Sequence, residues 1–104
     1  MTELETLISQ TTLLVAYFSH NDCSVCRVMK PKVEELLKTH YPNAIFCYVN
    51  THEHPAWAAQ QSVFTVPTVI GYVLGKETFR LSRNFAIAEL GERIDRIYPL
   101  LFEQ

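Results

Sequence analysis

The chain has 104 residues, 48% apolar and 19% charged, enough for one hydrophobic core and unlike a disordered polymer. A net charge of -2 argues against nucleic acid as the main partner, and no apolar run approaches the roughly 20 residues that span a bilayer. Three cysteines, two of them close together, are too few for a secreted disulfide scaffold. A cytoplasmic protein with one reactive pair and one buried thiol is expected. The acidic start, Met1-Thr2-Glu3-Leu4-Glu5, has no basic region followed by a hydrophobic segment, so no signal peptide is expected.

Thr2 with Glu5 has the pattern of a capping box and opens a first helix with Leu4, Leu7 and Ile8 on its apolar face. Residues 12–18 form an apolar run, as in a strand covered on both faces. A second helix is expected over 25–39, with Val25, Val28, Met29, Val33, Leu36 and Leu37 at helical spacing. Pro31 falls inside it, denies the Arg27 carbonyl its bond, and should bend the helix rather than end it. Arg27, Lys30, Lys32 and Lys38 are interrupted by Glu34 and Glu35, the pattern of a solvated face.

Pro42-Asn43 marks a turn before a second strand, 44–49, where Cys47 reads as a small core residue. His54-Pro55 opens a short third helix ending near Gln61. Residues 68–73 and 76–82 are third and fourth strands, joined by a hairpin at Gly75. Asn84 is expected to cap one final helix carrying Ile87, Leu90, Ile94, Ile97 and Leu101, weakened by Gly91 and bent or frayed by Pro99. The order α-β-α-β-α-β-β-α implies a single α/β domain, residues 1–104. Two parallel strands are joined by a helical crossover, and an antiparallel hairpin extends the same sheet.

Cys23-Ser24-Val25-Cys26 stands where the first strand feeds the second helix. Two sulfurs at this spacing meet only if the first sits at or just ahead of the helix start. There, free N–H groups and the helix dipole favour a thiolate. That is the geometry of a redox dithiol. A CxxC is also half of a zinc site, but no second CxxC and no zinc-spaced histidine pair follows. His20, Cys23 and Cys26 offer three donors, which leaves a metal ion or a dimer-bridging iron–sulfur cluster as a lesser alternative. His52 and His54 read as surface polar residues at a helix start. No metal site and no cofactor are expected.

Taken together, these residues make the chain resemble the thioredoxins. Pro31 stands five residues after Cys26, Thr65-Val66-Pro67-Thr68 matches the loop whose proline is cis in that family, and Asn50, Pro55 and Gly75 fall in register. The edge strand with which many thioredoxins begin has no counterpart in the sequence. The resemblance implies a thioredoxin fold: three layers, α/β/α, around a mixed sheet of four strands. It implies a protein-disulfide oxidoreductase in which Cys23 attacks and Cys26 resolves, with Val66 and Pro67 holding an extended substrate segment. Protein disulfides are the implied substrates, thioredoxin reductase a candidate electron donor, and the chain a monomer.

Departures from the family are part of the expectation. Asp22 replaces the tryptophan usual before the first cysteine, and its carboxylate opposes a Cys23 thiolate, whereas Arg27 favours one. Tyr17 and Tyr48 replace a buried acid and its lysine neighbour, so packing is expected there and Cys26 lacks the usual base. Asp22, Thr65 and Arg83 also change the docking surface, which points to partners other than those of a general thioredoxin. Two alternatives follow: a binding or chaperone-like module that keeps the fold with little turnover, and a glutaredoxin-like enzyme using glutathione.

Overall fold

The computed structural model describes residues 2–102, so positions 1, 103 and 104 of the expected domain lie outside the described residues. Thr2 caps α1 (Glu3–Gln10). Its hydroxyl accepts from the Glu5 N–H at 3.1 Å while the Glu5 carboxylate accepts from the Thr2 N–H at 2.8 Å, completing the capping box. β1 (Leu13–Ser19), buried throughout, leads to α2 (Ser24–His40), β2 (Ile45–Asn50) and α3 (Pro55–Gln60). β3 (Thr68–Val73) and β4 (Lys76–Ser82) follow as a hairpin, with Gly75 turning at φ +87°. The strand order is β2-β1-β3-β4, with β1 parallel to β2 and antiparallel to β3.

Alternation along β1 divides the apolar residues between two cores. Leu13, Val15 and Tyr17 join Cys26, Val33 and Leu37 of α2 on one face of the sheet. Leu14, Ala16 and Phe18 join Leu4 and Ile8 of α1 and Ala58 of α3 on the other. Helices therefore cover both faces, which is the three-layer α/β/α arrangement expected, and α2 continues through Pro31. Among the described residues no helix is long and apolar enough to cross a membrane.

The C-terminal region differs from expectation. Phe85 is drawn into the core, and Ala86, in an extended conformation, precedes α4 (Ile87–Asp95) in place of Asn84. The single helix expected through Leu101 is two, α4 and α5 (Tyr98–Phe102). Pro99 has no N–H for the Asp95 carbonyl, so the helix stops there. It restarts with Pro99 in its first turn, where the missing donor is not needed. The Tyr41 hydroxyl, shared between the Gly91 carbonyl and the Asp95 carboxylate, ties the end of α2 to α4.

β2 lies at the border of the sheet and exposes Ile45 and Tyr48, so its apolar run is only partly covered. Cys47 is correspondingly half-buried beside the second core, rather than inside it, and burial pushes its thiol up.

Candidate active site

β1 ends at Ser19, and the chain turns through residues 20–22 before α2 begins. Cys23 is the N-cap of α2: its sulfur accepts from the Cys26 N–H at 3.1 Å, one of the donors a helix start leaves free. Cys23 and Cys26 form a disulfide with their Cα atoms 5.2 Å apart. The two sulfurs differ in access. Cys23 is partly exposed, whereas Cys26 is 1% exposed beneath it.

The Val66–Pro67 peptide bond is cis, as the resemblance implied. Cys23, Val25, Val66, Pro67, Arg83 and Asn84 line one groove, which brings the cysteine pair and the proline turn together. The turn is tied down by the Arg83 N–H, which donates to the Pro67 carbonyl at 2.8 Å, and by the Thr68 hydroxyl, which donates to the Thr65 carbonyl at 2.8 Å. Neither the N–H nor the carbonyl of Val66 has a hydrogen-bond partner among the described residues. The groove therefore carries a backbone donor and acceptor with no partner among the described residues.

Asp22 and Arg27 flank the pair and are exposed. Pro31 lies further along α2, exposed and outside the groove. Tyr17 is fully buried, and its hydroxyl donates to the Cys26 carbonyl at 2.8 Å. Burial, reinforced by neighbouring Tyr48, pushes this phenol up to about 12. It stays protonated at physiological pH and acts as a donor, not as a base. Packing alone was expected of Tyr17. The available signal was a hydroxyl on the side of β1 that faces the start of α2. Tyr48 pairs with Tyr17 across the parallel strands, with the Lys30 ammonium 5.2 Å from its ring centroid. Ser19, His20, Arg27, Lys30 and Tyr48 line a second small cavity that reaches Cys26.

A disulfide pair at a helix start, facing a cis-proline turn at the end of the central strands of a three-layer α/β/α fold, defines a thiol–disulfide oxidoreductase of the thioredoxin fold. The thioredoxin family model matches residues 2–96, and the chain belongs to the thioredoxin family. It is 28% identical to the thioredoxin-like protein YdfQ of Bacillus subtilis over 96% of this chain and 88% of that one. Thioredoxin 1 of Thermosipho africanus is 36% identical, with a TM-score of 0.77 covering 84% of this chain and 96% of the other. Fasciola hepatica thioredoxin is also 36% identical, with a TM-score of 0.80 over 89% of each chain. The chain is accordingly a protein-disulfide oxidoreductase, and the module and glutaredoxin-like alternatives are not favoured.

Proposed function

We propose that this single domain exchanges disulfides of client proteins with Cys23 as nucleophile and Cys26 as resolving thiol. The observation that carries the assignment is their unequal burial: an incoming disulfide reaches Cys23, while Cys26 is positioned to reach only Cys23. In the reduced protein the Cys23 thiolate attacks one client sulfur, forming a mixed disulfide and releasing the other as a thiolate. Cys26, losing its proton, then attacks Cys23, and the client leaves with both sulfurs reduced. The helix start and the Arg27 charge favour the Cys23 thiolate, and Asp22 opposes it. Pro31 supports the pair by shaping α2 at a distance from it.

Val66 and Pro67 hold the client. The unpartnered N–H and carbonyl of Val66 suit a short antiparallel pairing with an extended segment, which reads backbone rather than side chains. The cavity lined by His20 and Lys30 gives the Cys26 proton a route to solvent in place of a buried carboxylate. A cytoplasmic monomer reduced by thioredoxin reductase completes this reading.

Cys26→Ser is expected to accumulate mixed disulfides that dithiothreitol releases, and Cys23→Ser to lose insulin reduction altogether. Insulin reduction by Cys23→Ser at the wild-type rate would reject the assignment of the nucleophile.

A further inference from the structure

Ser19 and Asn50 end β1 and β2 and are partners in the parallel register. The Thr51 N–H donates to the Ser19 carbonyl at 2.8 Å, which carries the pairing past the strands and sets their exit loops side by side. Each loop is anchored. The His20 carbonyl accepts from the Cys23 N–H at 3.3 Å, and Asn50 Oδ1 accepts from the N–H groups of His52 and Glu53 at 2.9 and 3.2 Å. The imidazoles of His20 and His52 consequently face each other, with centroids 4.0 Å apart and planes 7° from parallel. An Asp22 carboxylate oxygen lies 3.9 Å from His52 Nδ1, and donor atoms of the three residues lie within 4.8 Å of one another.

We propose that His20, Asp22 and His52 form a binding site for a divalent transition ion of the zinc type, beside the redox pair. Two imidazoles and one carboxylate are the donors such ions prefer, whereas calcium and magnesium favour oxygen ligands. The Asp22 N–H donates to His20 Nδ1 at 3.2 Å, which orients that ring and leaves Nε2 as its free donor. To aim a nitrogen at the same ion the His52 ring turns about χ2, a soft torsion, and its side chain is 58% exposed and free to do so. Water fills the remaining positions, making an open site rather than a closed structural one. The ion's charge sits beside Cys23 and offsets the Asp22 carboxylate that opposes the thiolate. This departs from the expectation that His52 is merely a surface residue and that His20 would bind an ion, if at all, with Cys23 and Cys26.

Calorimetric titration of Zn²⁺ into the oxidised protein tests the site, because the disulfide removes Cys23 and Cys26 as ligands. One ion is expected to bind, with affinity falling by about tenfold or more in His20→Gln, in His52→Gln and in Asp22→Asn. His40→Gln, at the far end of α2, should bind as the wild type does. Absence of saturable one-to-one binding in the wild type, or unchanged affinity in the two active-side histidine variants, overturns the proposal. Imidazole NMR signals give a second readout: shifts at His20 and His52 support it, and shifts confined to His40 or His54 reject it. No turnover enters either measurement, so the outcome is independent of the roles given to the cysteines.

Discussion

Tyr17 gives the site a fixed donor where the family usually places a titrating acid. Its hydroxyl holds the Cys26 carbonyl and, pushed up to about 12, contributes no ionisation near neutrality. Tyr17→Phe keeps the ring and removes the bond, so urea unfolding of the oxidised protein should show a loss of about 1 kcal/mol. Insulin reduction measured between pH 6 and 9 should keep the wild-type profile shape, because no titrating group has been removed. At this scale the Cys23–Cys26 pairing and the cis Val66–Pro67 turn were legible, since both are written in short spacings along the chain. The Tyr17 bond and the His20–His52 stack were not. They depend on which face of β1 meets α2 and on the register of β1 with β2, neither of which is encoded locally.

Elements were readable where one local signal governed them, and misread where tertiary packing intervened. The capping box of α1 formed as written in Thr2 and Glu5. Asn84 is a good capping residue type, but burial of the adjacent Phe85 delayed the helix to Ile87. The β3–β4 hairpin supplies a sharper test of packing. Gly71 opposes Phe79, whose ring occupies the space a Cβ would need. Gly71→Ala should therefore destabilise the fold by roughly 1–3 kcal/mol in a denaturant melt. Gly71→Ala combined with Phe79→Leu should recover part of that loss by opening the space; equal melts for the single and double variants would contradict the argument.

Across the whole molecule the fold class was legible because β1 is apolar at every position but its last, which requires cover on both faces. What holds the layers together beyond apolar packing was less visible. Arg80 of β4 donates to the Ser62 and Gln61 carbonyls at 2.9 and 2.7 Å, and its pairing with Glu77 holds that carboxyl below its ordinary value. The buried phenols set the alkaline limit. Burial pushes both Tyr17 and Tyr41 up to about 12, with Asp95 reinforcing the shift at Tyr41, and it raises Tyr72 as well. The folded chain therefore holds these protons more tightly than the unfolded chain, whose phenols titrate near 10.0. Their contribution is complete below pH 10 and is lost progressively from about pH 10 to 12. Thermal melts of the oxidised protein should show a falling midpoint over that window, less steeply in Tyr17→Phe.

The border position of β2 has a consequence for handling the protein in bulk. One row of its peptide groups has no strand beside it among the described residues, and Ile45 and Tyr48 stand exposed along the same segment. Such a row is a template on which another polypeptide can lie down, lengthening the sheet from outside. Crowded solutions should therefore scatter light through intermolecular stacking that begins at this border. Ile45→Lys, which plants a repelling charge there, should raise the concentration at which turbidity sets in.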